Sequence, residues 1–208
     1  MAVDENDQII EFQEKPKQPK SNLASMGVYV FTWKTLKKYL LRDDKNEKSD
    51  HDFGKNIIPT MLKDKRVLQA YRFSGYWRDV GTLTSLHEAN MDVCLNRSKL
   101  DLFDRDPLLR IYSKDVLNVP QYIGKNASIK NSIAATGAII LGSVDSCVIS
   151  SGVIIENHAS CKKAVIMENC IIKKGAKIEN AIIAPNSIIE ENEHINLHKK
   201  EIVLVNKR

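Results

Sequence analysis

Three stretches near the C-terminus superimpose at a constant shift of 17 residues, from 147 to 164 to 181. Cys147-Val148-Ile149-Ser150-Ser151-Gly152-Val153-Ile154-Ile155 lies over Ala164-Val165-Ile166-Met167-Glu168-Asn169-Cys170-Ile171-Ile172, and both lie over Ala181-Ile182-Ile183-Ala184-Pro185-Asn186-Ser187-Ile188-Ile189. Each block opens on a small residue, runs through aliphatics to a Gly or Asn corner, and resumes with two aliphatics. A short unit repeated this way specifies a solenoid, in which every coil buries its apolar side on its neighbours. The aliphatics are mostly Ile and Val, which favour β-coils. Helical repeats need roughly 34 residues or more, about twice this period. Three short strands per coil, with corners at Gly152, Asn169 and Asn186, are expected from about residue 123 to about residue 195. The first coil is out of register with the later three, which suits a terminal coil or an insertion. Ile202-Val203-Leu204-Val205 is expected to form a short strand capping the last coil. Architecture alone assigns no activity, because solenoids serve both as scaffolds and as enzymes.

Composition narrows the class. The 208 residues suffice for one large or two small domains, and 43% hydrophobic with 27% charged residues is ordinary globular usage. No apolar run approaches the roughly 18 residues that span a bilayer, and the acidic start, Met1-Ala2-Val3-Asp4-Glu5-Asn6, lacks the apolar core of a signal peptide. A net charge of +5 with scattered Lys and Arg reads as a solvated surface and argues against a nucleic-acid partner. None of Cys94, Cys147, Cys161 and Cys170 sits in a CxxC pair, which argues against zinc. Cys147 and Cys170 occupy repeat columns shared with Ala and Ser, as small packing residues. Reduced thiols without a secretion signal point to the cytoplasm.

The first half mixes strand and helix signals. Ile9 to Glu14 reads as a strand, and the stretch from Lys15 to Ser21, with Pro16 and Pro19, as a loop. Met26 to Phe31 reads as a buried strand. Thr32 is placed to cap a helix from Trp33 to Leu41 with Trp33, Leu36 and Leu40 on one face. Arg42 to Asp50 has no apolar residue and reads as an exposed loop. Asp52 to Leu62 looks helical, kinked at Pro59, and Val67 to Phe73 suggests another strand. Thr82 should cap a helix with the apolar face Leu83, Leu86, Ala89 and Val93. Residues 1–95 therefore read as one domain part, 96–122 (with Pro107 and Pro120) as a connector, and 123–208 as the solenoid domain.

Four segments, Ile10-Glu11-Phe12-Gln13-Glu14-Lys15-Pro16, Leu23-Ala24-Ser25-Met26-Gly27-Val28-Tyr29-Val30-Phe31, His51-Asp52-Phe53-Gly54-Lys55 and Tyr76-Trp77-Arg78-Asp79-Val80-Gly81-Thr82, resemble the ADP-glucose pyrophosphorylases, or glucose-1-phosphate adenylyltransferases, of bacterial glycogen synthesis. Ile202-Val203-Leu204-Val205 resembles that family's C-terminal end. The resemblance implies an α/β nucleotidyltransferase domain, present in part, followed by a left-handed parallel β-helix of hexapeptide type; the handedness comes from resemblance and not from spacing. That family opens its catalytic domain with a Gly-rich triphosphate-binding loop of the GGxGTRL kind, and no such segment occurs in these 208 residues. On this reading the nucleotide half of the site is missing, and the chain alone is expected to be inactive.

The resemblance also implies roles. Lys15 would grip the phosphate of glucose 1-phosphate, and Glu14 a sugar hydroxyl. Ser25 would contact the sugar, Asp52 and Phe53 would line its pocket, and Trp77 would wall it. Asp79 would be the catalytic carboxylate that holds Mg²⁺ against phosphate oxygens, together with a second, upstream Asp absent from this sequence. ATP would be the second substrate, and the family is typically tetrameric. From the residues alone, Lys15 is a loop lysine, Glu14 an exposed strand-end carboxylate, Ser25 a strand-entry hydrogen bonder, Asp52 a helix N-cap, Asp79 an ion-pair partner of Arg78, and Trp77 a core aromatic. Lys173, Lys174 and Lys177 would contribute to an effector site, although a solvated solenoid edge is the plainer reading. Three other functions compete: a different sugar-nucleotide pyrophosphorylase, a catalytically silent regulatory subunit, and a hexapeptide acyltransferase using His158 or His194 as its base. Retention of Lys15, Asp52 and Asp79 together argues against a silent subunit. Both histidines fall at corner or exposed positions, which argues against the acyltransferase.

Overall fold

The computed structural model describes residues 1–14, 16–95 and 117–207. Two compact units divide the chain, Met1–Gly75 and Tyr76–Arg208. Lys15 and most of the expected 96–122 connector lie outside the described residues.

In the first unit, Ala2–Val3 pairs antiparallel with Ile9–Glu11. Helix α1 spans Trp33–Asp44, three residues further than the apolar pattern implied. Thr32 occupies its N-cap position, but its side chain accepts no capping bond. The buried centre of α1 is Tyr39, not the expected Trp33–Leu36–Leu40 face; Leu40 packs beside it while Trp33 is 65% exposed. A tyrosine can sit there because its hydroxyl is satisfied: it donates to Asp64 Oδ2 at 3.0 Å and accepts from Arg66 Nε at 3.2 Å. A π-helical turn at Phe53–Ile57 leads into α2, Ile58–Lys63. The expected break at Pro59 therefore falls where the turn changes pitch, with Pro59 inside the first turn of α2, where its missing N–H costs nothing. Tyr39, Ile57 and Met61 form this unit's core, with Phe31, Leu40, Phe53 and Leu68 packed against them.

Two expected strands form no ladder. Met26–Phe31 alternates as a strand should, with Phe31 against the core and Val28 and Val30 76% and 97% exposed. No described segment pairs with it, so it is not the buried strand the sequence suggested. Val67–Phe73 contributes only an isolated Gln8–Gln69 bridge. Of the expected Arg42–Asp50 loop, Arg42, Asp43 and Asp44 belong instead to the last turn of α1; the remainder is exposed for most of its length and is pinned to Asp43, which accepts from Ser49 Oγ at 2.7 Å.

The second unit contains α3, Leu83–Cys94, and the parallel β-solenoid. One face stacks Tyr122–Ile123, Ile139–Ile140, Ile154–Ile155, Ile171–Ile172 and Ile188–Ile189 as a 5-stranded sheet. The long strands Ser160–Ile166 and Lys177–Ile183 bend across the other two faces and join them into an 8-stranded sheet. The corners are where the repeat put them: Gly152, Asn169 and Asn186 have φ of 70°, 57° and 60°, the left-handed region that Gly and Asn accept most readily. Asn169 Nδ2 donates to Asn186 Oδ1 one coil on, at 3.3 Å.

The register explains the odd first coil. Tyr122 pairs with Ile139 and Ser143 with Ser160, both 17 apart, but Ser128 pairs with Ser143, only 15 apart. The cause is a corner shortened by two residues at Leu141-Gly142, not an insertion. A Cβ at Gly142 would lie 2.3 Å from the Ala159 carbonyl oxygen, so only glycine turns this corner.

Inside, Ile140, Ile155, Ile172 and Ile189 stack with Cys147, Ala164 and Ala181 at no measurable exposure. Each isoleucine removed from water contributes about 1.5–3 kcal/mol. Strand alternation turns Val165 and Ile182 outward, where Leu86, Met91, Cys94 and Leu95 of α3 cover them. The face of α3 is thus Leu86–Met91–Leu95 with a buried His87, and Leu83 is exposed, unlike the expected apolar face. Thr82 caps α3 as expected, in a reciprocal capping box with Ser85. Val203–Val205 pairs with Ala181–Ile183 and closes the last coil. Among the described residues, no helix is long and apolar enough to cross a membrane.

Candidate functional site

Four of the expected residues come together in the first unit. Asp52 has extended backbone and its Oδ1 accepts the Lys55 N–H at 2.9 Å, so it is the N-cap that the sequence suggested. Phe53 follows, its ring stacked on Tyr29 with centroids 5.8 Å apart at 21°, and tilted against Phe31 at 5.8 Å. The Tyr29 hydroxyl is 2.9 Å from Ser25 Oγ, which also accepts the Gly27 N–H at 3.2 Å. Gly27 has φ of 73°, a turn that holds Ser25 at the mouth of the extended segment. Ser25, Tyr29, Phe53 and Asp52 are therefore linked by contact or by chain.

Glu14 reaches the same place. A Cβ added to Gly54 would stand 2.6 Å from Glu14 Oε2 and 3.3 Å from Asp52 Oδ1, so both carboxylates lie against this one buried glycine. Lys55 stands beside them, bonded to Asp50 at 2.9 Å. Its ammonium is held above the ordinary lysine range, chiefly by the Asp50 hydrogen bond and charge, then by Asp52 and Glu14. A carboxylate pair against a bare backbone, walled by an aromatic ring and a hydroxyl, suits a polyhydroxylated ligand: oxygens accept from its hydroxyls and the ring covers its C–H face. Sequence reasoning assigned no role to Tyr29, Gly54 or Lys55. The available signal was Gly54 itself, since a glycine in the first turn of a helix marks a close approach.

Trp77 and Asp79 belong to the second unit. Tyr76 and Arg78 fasten their segment to α3: the Tyr76 hydroxyl is 3.2 Å from Asp92 Oδ2, and Arg78 binds Glu88 at 2.5 Å and Asp92 at 2.8 Å. The alternate residues, Trp77 at 45% exposure and Asp79, are left to solvent. Arg78 thus takes its carboxylates from α3 and does not form the Asp79 pair that residue chemistry alone allowed. Trp77 is not a core residue. Asp79 Oδ1 accepts the Gly81 N–H at 2.9 Å, which fixes the carboxylate in a tight turn. One such carboxylate fits Mg²⁺, which is commonly held by one or two carboxylates and completed by phosphate oxygens and water. Among the described residues no cluster of three or more His, Cys, Asp or Glu could hold a metal by itself. His158 is an exposed corner at φ 63° and His194 is exposed. Lys173 is engaged by Glu190 at 2.7 Å.

The nucleotidyl transferase family matches residues 1–96, and the family of GlmU-like C-terminal hexapeptide domains matches residues 118–201. The chain is thus similar to the nucleotidyl transferases over its first part and to the hexapeptide solenoids over its second. It is 50% identical over 167 residues to a glucose-1-phosphate adenylyltransferase of Acetivibrio thermocellus, covering 80% of this chain and 39% of that protein. Proteins of the same name from Clostridium acetobutylicum (52% over 155 residues, 74% of this chain and 40% of the relative) and Clostridioides difficile (49% over 168 residues, 80% and 43%) are similar to it as well. The chain spans about two fifths of the length of these curated relatives.

Proposed function

We propose that this chain contributes the sugar-phosphate half of a glucose-1-phosphate adenylyltransferase, which makes ADP-glucose and pyrophosphate from ATP and glucose 1-phosphate. The observation that carries the reading is that Glu14 and Asp52 both lie against Gly54, beside the Phe53 ring that stacks on Tyr29, whose hydroxyl meets Ser25. In this reading Glu14 and Asp52 accept hydrogen bonds from sugar hydroxyls, and Phe53 with Tyr29 packs the ring's apolar face. Lys15 neutralises the sugar phosphate as a point charge. A phosphate oxygen of glucose 1-phosphate attacks the α-phosphorus of ATP; the new P–O bond forms as the bond to the β-phosphate oxygen breaks, and pyrophosphate leaves with that electron pair. Such a transfer depends on alignment and on charge neutralisation more than on covalent chemistry by the protein. Asp79 would hold Mg²⁺, which when bound neutralises phosphate charge. Asp79 is suited to this because the Gly81 amide fixes it without consuming its second oxygen. Cytoplasmic location and assembly as a homotetramer belong to the same reading.

The test is product identification. The protein carrying this chain is incubated with glucose 1-phosphate, Mg²⁺ and, separately, ATP, UTP, GTP or dTTP. Formation of ADP-glucose in preference to the other sugar nucleotides supports the assignment. A preference for dTTP or GTP would move the protein to another sugar-nucleotide pyrophosphorylase, and no product with any nucleotide would favour a regulatory subunit.

A further inference from the structure

Asp43 breaks a local rule. It lies in the last turn of α1, where a negative charge opposes the helix dipole and alanine would serve the helix better. Its side chain is nonetheless only 14% exposed. Oδ1 accepts from Ser49 Oγ at 2.7 Å, and Oδ2 lies 3.0 Å from His51 Nδ1. A carboxylate only accepts, so that ring nitrogen carries the proton and donates. These bonds hold the Asp43 carboxyl below the ordinary carboxylate range, the Ser49 bond most and the His51 bond next. A charge that weakens its own helix and is committed to a loop points to what the loop does.

The loop leads directly into the candidate sugar site. Ser49 Oγ also accepts the His51 N–H at 3.1 Å, and the Ser49 N–H donates to the Asn46 carbonyl at 2.9 Å. Within this set of bonds His51 has φ of 53°, a left-handed backbone that histidine tolerates better than most residues but not freely. The next residue is Asp52. Its Oδ1 lies with Glu14 Oε2 against Gly54, and its N–H donates to Asn56 Oδ1 at 3.1 Å. With an ordinary backbone at residue 51, the chain would enter the π-helical turn from another direction and carry the Asp52 side chain with it. A strained backbone held in place one residue before a site carboxylate is what a preorganised site requires. Asp43 has a firm base, because α1 is anchored through Tyr39 in the core of this unit.

We propose that Asp43 and His51 are positioning residues for the sugar: Asp43 draws in Ser49 and His51, sets the left-handed turn at His51, and so delivers the Asp52 carboxylate to the ligand. Neither residue touches the sugar. The proposal rests on the sugar-phosphate reading above and extends it to the residues that hold that site in shape.

Steady-state kinetics of the protein carrying this chain test it, together with thermal unfolding of the same variants. Asp43→Ala removes both bonds, and His51→Val asks a β-branched residue to adopt φ of 53°. Each change should leave only about a tenth of the molecules with Asp52 in place, so the KM for glucose 1-phosphate should rise roughly tenfold. The kcat and the KM for ATP should not change, and Asp43→Ala should not lower the thermal midpoint. Asp43→Asn can still serve both partners and His51→Asn suits the left-handed turn, so both should keep the KM within about twofold of the parent. A clamp with a merely structural role would instead lower the thermal midpoint and leave the KM for glucose 1-phosphate unchanged. Asp52→Asn is measured alongside. If it raises that KM while Asp43→Ala and His51→Val do not, the clamp is refuted and the sugar-phosphate reading stands. If Asp52→Asn leaves that KM unchanged, the sugar-phosphate reading itself fails, and the clamp with it.

Discussion

Gly54→Ala should separate folding from sugar binding. The added methyl would stand 2.6 Å from Glu14 Oε2, so the carboxylate must retreat by about 0.8 Å to reach the 3.4 Å of an ordinary contact. The atom in the way is the end of a flexible side chain, so the backbone need not move. Alanine is worth up to about 1 kcal/mol over glycine in a helical turn, which leaves the stability of the first unit unchanged or slightly raised. Glu14, however, no longer stands where it accepts from a sugar hydroxyl, and loss of a hydrogen bond to a charged group costs about 1.5–3 kcal/mol. That is roughly a 10- to 100-fold rise in the KM or Kd for glucose 1-phosphate. Thermal unfolding of the isolated chain, paired with steady-state kinetics of the protein carrying it, reads both quantities. Loss of stability together with unchanged sugar affinity would refute the reasoning, because it would make Gly54 a packing residue and Glu14 a bystander.

Other outcomes follow from the same geometry. Gly142→Ala places a methyl 2.3 and 2.8 Å from two backbone carbonyl oxygens and should cost about 3 kcal/mol of solenoid stability in denaturant unfolding; a change under about 0.5 kcal/mol would mean that the short corner opens freely. Lys15→Ala is expected mainly to raise the KM for glucose 1-phosphate and Asp79→Asn mainly to lower kcat, and steady-state kinetics showing the reverse would exchange their roles. The 208 residues alone should release no pyrophosphate above background in a coupled assay. Burial pushes the Cys147 thiol from the ordinary 9.0 up to about 12. The folded value is the higher one, so the neutral thiol's contribution is fully present below about pH 9 and is lost as pH rises toward 12. Unfolding at stepped pH should show stability falling across that window, less steeply in Cys147→Ala, and a rise would contradict the assignment.

The parts of this molecule legible in the sequence are those governed by local rules. The 17-residue shift predicted the solenoid and its corners because each coil repeats the same burial and the same left-handed turn. The Asp52 and Thr82 caps were legible for the same reason, as each acts within three residues of itself. What escaped depends on partners distant in sequence. Tyr39 and His87 look unsuited to a core until Asp64, Arg66 and the Lys163 carbonyl meet their polar atoms. Met26–Phe31 has a strand's alternation, but alternation does not supply a neighbour to pair with. Arg78 and Asp79 are adjacent in sequence, yet Arg78 is drawn to Glu88 and Asp92 on α3 while Asp79 turns back to the Gly81 amide. In the candidate site, resemblance supplied the residues. The closeness of Glu14 to Asp52 across Gly54, and the Ser25–Tyr29–Phe53 chain, emerged only from the fold.

The sugar-side assignment is tested most directly by steady-state kinetics of Glu14→Gln and Asp52→Asn in the protein carrying this chain. Both changes are nearly isosteric, and asparagine still caps the helical turn, so folding is preserved. The expected result is a KM for glucose 1-phosphate raised about tenfold or more in each, as for loss of a charge-assisted hydrogen bond, with the KM for ATP unchanged. An unchanged KM for glucose 1-phosphate, or a rise confined to ATP, would contradict the placement of the sugar against these carboxylates.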